Sequence, residues 1–407
     1  MTELVPLRRN RDFLLYQSGG LLSTFGSGIS GIAYPLLTLA LTHSAAKTGY
    51  IGALEFMPLV LLSVPAGIAA DRFDRRLLMI AADMIGAAAL GLLAAAVLTG
   101  NAKFWMVAAV AFVDMSAAVV YRSGSSGAMK AVVPQPQLAD ASSVTMARMS
   151  TVHLLAPPIG GALFGIARGL PFLVDSISYF FSTAALLLMR TPFQEERVPG
   201  TRTPFREGLA YFWSIPFLRT TIGMIAASNV VAVGAPIALI ILAHRQGLSS
   251  FTIGLFLGLQ GVMLLLGATL SPLLRRRFPM RAILLSEFWM ALVYVAFLVY
   301  PNVYVLAGCV SLHAFWFPNT DSAINAYSYA LIPDRLLGRA MAASNTLRAA
   351  SVPLGPLLAG LLLAHSTPRI CIFVLAAPVV VAAALGTASP ALRDLPSLAE
   401  ASPAAAG

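Results

Sequence analysis

The sequence predicts an all-α polytopic membrane protein, with twelve transmembrane helices arranged in two pseudo-symmetric six-helix bundles. Of its 407 residues, 58% are hydrophobic and only 11% are charged, and the mean hydropathy is +0.80. A soluble domain carries about 25% charged residues, so a chain this apolar is not expected to cover a water-exposed surface. The second observation is a series of long apolar runs, and the third is a repeat of about 200 residues.

Each apolar run is long enough to cross a bilayer as a helix, which takes about 20 residues. The runs fall at residues 12–41, 47–70, 77–99, 103–130, 139–167, 170–190, 215–243, 251–273, 280–300, 303–331, 340–365 and 370–388. The connections are short except near the middle of the chain. We therefore predict an N-terminal six-helix bundle over 1–190, a cytoplasmic linker over 191–214, a C-terminal bundle over 215–388 and a disordered cytoplasmic tail over 389–407.

The basic residues predict how the helices are oriented, because cytoplasmic connections of membrane proteins are rich in Lys and Arg. With a cytoplasmic N-terminus, eighteen Lys and Arg residues lie inside and five lie outside. We therefore expect a multi-pass protein of the inner (plasma) membrane with both termini in the cytoplasm. The net charge of +10 comes from these short clusters and forms no basic face, so we expect no nucleic-acid partner.

The two halves of the chain resemble each other. The coinciding pairs are Gly67 with Gly267, Arg75 with Arg275 and Arg76 with Arg276 at an offset of 200, and Pro134 with Pro333, Pro157 with Pro356 and Gly161 with Gly360 at an offset of 199. Six spans repeated in parallel are typical of a two-bundle transporter, in which the substrate path lies between the halves.

A tight group of charges lies between the second and third apolar runs, and it reads Gly67-x-x-x-Asp71-Arg72-x-x-Arg75-Arg76. The cytoplasmic preference of basic residues explains the arginines but not Asp71. Asp71 follows the expected end of the second helix, where a carboxylate can satisfy free N–H groups at the start of the third. We therefore expect Asp71 to stabilise this turn.

A second motif lies in the fifth apolar run, where Pro157 and Pro158 are followed by Gly160 and Gly161. Proline removes backbone hydrogen bonds from a helix, and glycine lets a neighbouring helix approach closely. The motif therefore predicts a kinked and closely packed helix.

Both motifs are similar to those of the major facilitator superfamily. The charged turn resembles the family's loop signature, and the fifth run resembles the Gly-Pro-x-x-Gly-Gly motif of antiporters, with Ala156 for the first glycine. Arg122-x-x-x-x-Gly127 is similar to a third family motif, and residues 9–45 resemble the start of bacterial drug and siderophore exporters. The resemblance implies a secondary active transporter that exports a small molecule by alternating access and proton antiport, with the charged turn as a cytoplasmic latch.

The residues themselves leave two other functions open. One is an importer or symporter on the same scaffold, and the other is a non-transporting membrane sensor or scaffold. The expected partners are a small-molecule substrate, protons and the lipid bilayer, and we expect a monomer. The sequence shows no nucleotide-binding loop, catalytic triad or metal-ligand pattern, so we predict no enzyme, no cofactor and no metal. Cys309 and Cys371 lie inside apolar runs and predict no disulfide framework.

Three carboxylates lie deep inside predicted spans, namely Asp114, Glu55 and Asp321. An ionisable group inside a membrane is costly, so it faces a cavity or a partner. A carboxyl group in a low dielectric favours its neutral form and can exchange a proton near neutral pH. We therefore predict Asp114 first, and Glu55 and Asp321 next, as candidates for proton coupling. A structural ion pair or hydrogen bond is the alternative for each.

Five further charged residues lie nearer the ends of spans or toward the cytoplasmic side. Asp83, Glu287 and Asp175 are one or two turns from a helix end, where we expect them to reach the membrane interface. Arg148 and Arg348 are expected to extend toward the cytoplasm. The alternative for these arginines is contact with an anion, or pairing with the acid of the charged turn or of the fourth span.

Aromatic and polar residues at mid-span depth are candidates for lining a substrate path. They are Tyr34, Phe56, Tyr121 and Arg122 in the first half and Trp316 and Tyr327 in the second. The aromatic members of this set could equally face lipid or pack between helices.

Overall fold

The computed structural model describes residues 6–193 and 205–395, and the long elements in those ranges are all α-helices. In lipid, backbone N–H and C=O groups must bond within their own segment, so long apolar runs become helices. The helices of the first half are α1 (Arg11–Thr42), α2 (Ala45–Arg72), α3 (Arg75–Leu98), α4 (Phe104–Val132), α5 (Leu138–Ile166) and α6 (Leu170–Leu188). Those of the second half are α7 (Phe205–Ser214), α8 (Pro216–Arg245), α9 (Ser250–Arg277), α10 (Met280–Met290), α11 (Val295–Val299), α12 (Val303–Leu331), α13 (Asp334–Ala350), α14 (Leu354–His365), α15 (Pro368–Ala388) and α16 (Pro390–Arg393).

Within the described residues, eleven helical segments are long and apolar enough to cross a membrane. They correspond to eleven of the predicted spans, with ends that differ by a few residues. The remaining predicted span, 303–331, is the 29-residue helix α12, which buries the polar residues His313, Asn319 and Thr320 inside the protein. A helix of that length measures about 43 Å, more than the ~30 Å hydrocarbon core of a bilayer. The chain is therefore a multi-pass membrane protein.

Two of the predicted spans are interrupted. The span predicted at 280–300 consists of α10, a 3-10 turn over Ala291–Tyr294 and α11. The span predicted at 340–365 belongs to α13 and α14, which are separated by a turn that ends at Pro353. Proline lacks the N–H that continues a helix, which accounts for the second break.

The described residues form two compact units. The first is drawn from Met1–Val198 with His244–Gly258, and the second from Pro199–Ala243 with Leu259–Gly407. Inside the first unit, α1 packs most extensively on α6, and α3 packs on α4 and α6. At Gly19 of α1 an added Cβ would lie only 2.9 Å from the Cβ of Ala185, so small residues allow the close approach of α6.

Each unit contains a helix crossing built on small residues. In the first unit, an added Cβ on Gly28 of α1 would lie 2.7 Å from the Cβ of Ala156 in α5. In the second unit, an added Cβ on Gly234 of α8 would lie 2.7 Å from the carbonyl oxygen of Gly355 in α14. Ala156 and Gly355 are one repeat apart in the sequence, so the same pair of helices crosses closely in both units.

The central segment contains a helix that the sequence analysis did not predict. Helix α7 lies inside the range 191–214, which was predicted as a cytoplasmic linker. The hydroxyl of Tyr211 donates to the carbonyl oxygen of Leu331 at 3.3 Å, and Gly208 packs against α13. These contacts give α7 the tertiary support that a ten-residue helix needs. The part of the predicted linker over 194–204 lies outside the described residues.

The expectation of a disordered tail from residue 389 was wrong at its start. Helix α16 follows α15 directly, and its Leu392 is only 1% exposed. Burial of this leucine supplies an apolar contact that the Ala/Pro-rich composition did not indicate. Residues 396–407 lie outside the described residues.

Candidate functional site

Asp114 lies inside the first unit and is bound by two tyrosines. It is the eleventh residue of α4, and it is 8% exposed. Tyr34 of α1 donates its hydroxyl to Oδ2 of Asp114 at 3.0 Å, and Tyr179 of α6 donates to Oδ1 at 2.8 Å. One carboxylate therefore joins three helices. In the part of the chain that the structure describes, no basic side chain forms an ion pair with it.

A second buried carboxylate, Asp175 of α6, lies beside α1. It is 0% exposed and accepts hydrogen bonds from Ser30 at 2.5 Å and from Ser178 at 3.2 Å. Gly26 of α1 makes room for both Asp175 and Ser178, because an added Cβ there would collide with their side chains. The expectation that Asp175 reaches the membrane interface was wrong, because its side chain faces α1 in the protein interior.

Hydrogen bonds of Ser27 and Ser30 connect the two acids along α1. The Ser27 hydroxyl lies 3.3 Å from that of Tyr179, and Ser30 donates to the carbonyl oxygen of Ser27 at 3.2 Å. Asp114 and Asp175 therefore belong to one buried polar network. Its link between Ser27 and Ser30 is a backbone carbonyl, which accepts but cannot donate, so the network orients both acids without forming a continuous chain of hydroxyl groups between them.

Glu55 of α2 is the third acid of this region. It is half-buried, and it lies close enough to Asp114 for their charges to interact. Its Oε1 lies 3.9 Å from the position of an added Cβ on Gly31 of α1. Among the described residues, no group of three or more His, Cys, Asp and Glu side chains is placed to hold a metal ion.

Helix α6 turns its polar face toward the protein interior. Its buried polar residues are Asp175, Ser176, Ser178, Tyr179, Ser182 and Thr183. Its exposed large side chains are Ile177, Phe180, Phe181, Leu187 and Leu188, which are 45% to 62% exposed. A helix whose apolar face is outside and whose polar face is inside fits a position at the border with lipid.

In the second unit the deep acid has a basic partner. Asp321 of α12 forms an ion pair with Arg348 of α13 and accepts a hydrogen bond from Asn325 at 3.0 Å. The two charged side chains are 32% and 17% exposed. The expectation that Arg348 extends toward the cytoplasm was wrong, and so was its alternative pairing with Asp71 or Asp114, because Asp321 lies within reach in the same unit.

Three other charged residues are more enclosed than the sequence suggested. Glu287 is 4% exposed and accepts a hydrogen bond from Ser228 of α8, and Asp83 of α3 is 1% exposed. Neither acid reaches the membrane interface, since each faces a neighbouring helix of its unit. Arg148 donates to the side chain of Gln17 at 3.2 Å, where a cytoplasmic extension or an acidic partner was expected.

The predicted substrate-path residues occupy different environments. Tyr34 and Tyr327 are 1% and 2% exposed, so both lie within helix packing, and Tyr327 contacts the Phe217 ring at 5.1 Å between centroids. Phe56 is half-buried and Arg122 is exposed. A role for these residues in the substrate path stays a prediction.

Two more path candidates contact named neighbours. Tyr121 is half-buried, and its hydroxyl lies 3.3 Å from that of Ser182. Trp316 is also half-buried and packs edge to face on Phe315, with ring centroids 5.3 Å apart. Tyr121 therefore belongs to the polar interior of the first unit.

The charged turn is capped by a different acid from the one predicted. Asp74 is the N-cap of α3, and its carboxylate accepts a hydrogen bond from the backbone N–H of Leu77 at 2.9 Å. Asp71 lies in the last turn of α2, which ends at Arg72, and this places it too early in the chain to cap α3. Its carboxylate instead lies 3.7 Å from the guanidinium of Arg75.

The side chain of Arg75 packs against α4 at Gly127. Its Nε donates to the carbonyl oxygen of Ala70 at 3.3 Å, and Gly127 leaves room for its guanidinium, because an added Cβ would collide with it. Among the described residues, nothing lies within 4 Å of an added Cβ on Gly67. The close packing at this turn is therefore permitted by Gly127 of the Arg122-x-x-x-x-Gly127 motif, and not by Gly67 of the charged turn.

Arg76 binds the end of α6. It donates to the carbonyl oxygen of Met189 at 2.6 Å. In the second unit Arg281 donates in the same way to the carbonyl oxygen of Thr387 at 2.6 Å. By its contacts, the counterpart of Arg76 is therefore Arg281 and not Arg276, because the start of α10 is shifted by a few residues relative to a strict repeat.

The helix 5 motif lies within α5, which continues through Pro157 and Pro158. Gly160 faces α1, where an added Cβ would lie 2.7 Å from the carbonyl oxygen of Ile29. The glycine therefore supports the close crossing of α1 and α5 in the first unit.

The other side of this motif meets the first turns of α9, whose residues up to Gly258 belong to the same compact unit. An added Cβ on Gly254 would lie 2.9 Å from the Cα of Pro158, and one on Gly258 would lie 2.7 Å from its Cγ. Gly161 faces Ser250 with no room for a side chain. The motif is thus a packing surface on two sides.

Sequence reasoning missed Tyr179, Ser30 and the burial of Asp175. One signal was available. The polar residues Asp175, Ser178, Tyr179 and Ser182 follow the i, i+3, i+4, i+7 spacing of one helix face inside an apolar run. That spacing predicts a polar stripe turned toward the protein.

A polytopic chain with two similar helical units and carboxylates buried in its interior defines a secondary membrane transporter of the major facilitator fold. The nucleoside transporter NupG in a D323A form has a TM-score of 0.77 at 11% identity, covering 93% of this chain and 99% of that one. A bacterial homologue of the iron transporter ferroportin in an inward-facing state has a TM-score of 0.70 at 17% identity, covering 94% and 99%. These similarities concern the fold.

The chain belongs to the transmembrane secretion effector family of the major facilitator superfamily, whose model matches residues 1–404. It is similar to the multidrug efflux pump Tap of Mycobacterium tuberculosis, with 26% identity over 398 residues that cover 92% of each protein. It is also similar to macrolide efflux protein A of Streptococcus pyogenes, with 23% identity over 197 residues, 46% of this chain and 49% of that protein. These similarities confirm the predicted superfamily. They also confirm the prediction that the chain is a transporter and not an enzyme.

Proposed function

We propose that this chain exports a drug-like compound, siderophore or secondary metabolite by alternating access, in exchange for protons. Export is supported by the full-length similarity to a multidrug efflux pump and the partial similarity to a macrolide efflux protein. The distribution of Lys and Arg supports a plasma-membrane protein with both termini in the cytoplasm. A monomer suffices, since one chain carries both units.

The observation that carries proton coupling is the arrangement at Asp114. This acid is buried, has no basic partner among the described residues, and accepts hydrogen bonds from Tyr34 and Tyr179. An ionised carboxylate accepts at both oxygens, whereas a protonated one carries a donor O–H on one of them. When Asp114 binds a proton, the protonated oxygen becomes a donor and a weaker acceptor, so the hydrogen bond from the tyrosine at that oxygen weakens or reverses its direction.

Proton binding at Asp114 thus changes a contact that joins α1, α4 and α6. The acid lies ten residues from the start of α4, or about 15 Å along the helix, which is half of a ~30 Å bilayer core. A proton site at that depth can be reached from either side in turn as the protein alternates its access. Energy from the proton gradient is then available to move the substrate outward.

The test measures transport in inside-out membrane vesicles from cells that lack their own drug pumps. The probes are erythromycin, a macrolide, and ethidium, a lipophilic cation. With an acidic vesicle interior, we expect uptake of at least one probe, and we expect nigericin, which dissipates the pH gradient, to abolish it. Asp114→Asn should abolish it as well, whereas Glu287→Gln, a change at a buried acid of the second unit, should leave most of it.

Other outcomes contradict the proposal in distinct ways. Uptake that persists with nigericin and in Asp114→Asn would reject proton antiport. Gradient-driven movement of a probe out of these vesicles would indicate import by symport. Failure to move either probe or any member of a wider compound panel, by a protein that is correctly inserted, would favour a membrane sensor.

A further inference from the structure

Asp83 of α3 is a buried acid to which the proposed function gives no role. It is 1% exposed, and neither of its carboxyl oxygens has a hydrogen-bond partner within the described residues. The hydroxyl of Ser182 in α6 faces it without reaching ordinary hydrogen-bond geometry. Burial of an ionised carboxyl group without a partner is costly, and proton binding removes that cost, so this acid is a candidate for binding a proton.

Packing between α3 and α6 places Asp83 next to the Asp114 network. An added Cβ on Gly86 would lie 2.9 Å from the ring of Tyr179, so this ring rests against α3 one turn from Asp83. Ser182 lies one turn from Tyr179 on α6, in the same direction. Three residues of helix span about 4.5 Å, so Asp83 lies roughly one turn beyond the tyrosine that binds Asp114.

Hydroxyl groups occupy the interval between the two acids. The hydroxyl of Tyr121 in α4 lies 3.3 Å from that of Ser182, and Tyr121 is close enough to Asp83 for their charges to interact. Each of these groups can accept one proton while it donates another.

The charged and titratable groups near this level on the other helices are Tyr16, Tyr121, Arg148 and Asp175, and Asp175 of α6 is close enough to Asp83 for their charges to interact. Tyr16 bonds to the hydroxyl of Ser125 at 2.7 Å, and Arg148 bonds to Gln17. Within the described part of the chain none of them forms an ion pair with Asp83. The carboxyl group of Asp83 therefore keeps its capacity to bind a proton.

We infer that Asp83 is a second proton-binding residue, and that protons cross the first unit inside its bundle, along the buried polar face of α6. The inference rests on the proposed function, because it needs proton entry at Asp114. In each transfer, one proton leaves the Asp114 carboxyl through the hydroxyl groups and binds the Asp83 carboxylate, so Asp114 becomes the carboxylate. Asp83 lies eight residues, about 12 Å, from the start of α3 that the charge bias assigns to the cytoplasm.

The route explains the orientation of α6. Acids and hydroxyl groups on the interior face of a helix at the border with lipid cost free energy, so a function such as proton transfer is expected of that face. A path inside the bundle also keeps the protons apart from the substrate, so that the two can move in opposite directions without sharing one passage.

The test uses the full-length protein in lipid nanodiscs and in proteoliposomes. Infrared difference spectra recorded during a pH titration report the C=O stretching band of each carboxyl group that binds a proton. The variants are Asp83→Asn, Asp83→Leu and Asp114→Asn. Ser176→Ala is the matched control, because Ser176 lies on the same buried face of α6 but donates to the carbonyl oxygen of Ala87 at 2.7 Å, away from the route.

We expect both Asp83 variants to lose one carboxyl band that the wild type and Ser176→Ala retain. Proton-driven transport of erythromycin or ethidium should fall by about 100-fold in the Asp83 variants, the low end of what a positioned acid–base group contributes. Exchange of the same probe without a pH gradient should stay close to wild type, since it needs no net proton movement. Asp83→Leu is included because replacing an unpartnered buried polar group with an apolar one is not expected to destabilise the fold.

Unchanged infrared spectra in both Asp83 variants would overturn the inference, whether or not either probe is transported. So would wild-type rates of proton-driven transport in those variants. If Asp114→Asn alone abolishes coupling, the Asp83 route fails and the proposed function stands. If Asp114→Asn also leaves coupling intact, both fail.

Discussion

The last long helix of each unit presents a different face to the protein interior. In the first unit, α6 buries acids and hydroxyl groups, and its apolar side chains are exposed. In the second unit, the buried side of α15 is apolar, and it consists of Cys371, Ile372, Leu375, Ala376, Val379, Ala383 and Gly386. Two copies of one helical arrangement therefore enclose different interiors.

The same contrast appears in the charges. Arg348 has an acidic partner, Asp321, in the second unit. Arg148, 200 residues earlier, bonds to the neutral side chain of Gln17, while the acids Asp114 and Asp83 of its unit have no basic partner in the described residues. The second unit pairs Asp321 with a base, although it also buries Glu287 beside Ser228, whereas neither Asp114 nor Asp83 of the first unit has a basic partner in the described residues.

The contrast teaches which features of a repeat are fixed by packing. Each unit has one close crossing of this kind, at Gly28 in the first and at Gly234 in the second, because two helices can approach this closely only where side chains are small. Interior polar groups are not needed for that packing, so they can differ between copies. Under the proposed function, proton movement belongs to the first unit, and the ion pair of Asp321 with Arg348 in the second unit is structural.

The largest expected effect comes from neutralising the two deep acids separately. Asp114→Asn should lower proton-driven transport by about 100-fold or more, because a positioned acid–base group contributes at least that much. The double variant Asp321→Asn with Arg348→Gln removes the second unit's pair as a whole and should retain most of the transport. Initial rates in proteoliposomes measure both. The reverse pattern would place the proton site in the second unit.

A smaller effect is expected from removing only the arginines. Arg348→Gln leaves Asp321 without its partner, and we expect a loss of about 1–2 kcal/mol, below the value for a fully buried pair because both groups are partly exposed. Arg148→Gln removes a side chain whose Nε has no partner in the described residues, and we expect little change. Thermal unfolding in detergent compares the two. Equal losses would contradict the electrostatic difference between the units.

The tyrosines at Asp114 allow a finer comparison. Tyr179→Phe removes one donor to this acid, and a hydrogen bond to a charged group contributes about 1.5 kcal/mol or more, which corresponds to roughly tenfold in proton-driven transport. The matched control is Tyr294→Phe in the second unit. Tyr294 is also buried, but its hydroxyl only approaches the ring of His313 at 3.5 Å. An equal effect of both changes would mean that tyrosine burial, and not the bond to Asp114, matters.

Much of this architecture could be predicted from the sequence, because the length of an apolar run directly reports a membrane-spanning helix. The deep position of Asp114 in α4 could also be predicted, since it follows from counting residues along the apolar run. The burial of Asp175 and Asp83 does not follow from their distance to a helix end, because it depends on the face of the helix that each residue occupies. The pairing of Asp321 with Arg348 joins two helices and requires the fold itself.

The charged turn gives the smallest effect and separates two explanations of one motif. Asp74→Ala should lower the free energy of unfolding by about 0.5–1 kcal/mol, because it removes the N-cap of α3. Asp71→Ala should cost less than ~0.5 kcal/mol, since its pair with Arg75 is 3.7 Å long and the acid is 78% exposed. In the second unit α10 starts after Pro279 with no side-chain cap, so a cap is not essential to such a turn. If thermal unfolding shows that Asp71→Ala costs as much as Asp74→Ala, the ion pair with Arg75, and not the cap, stabilises the turn.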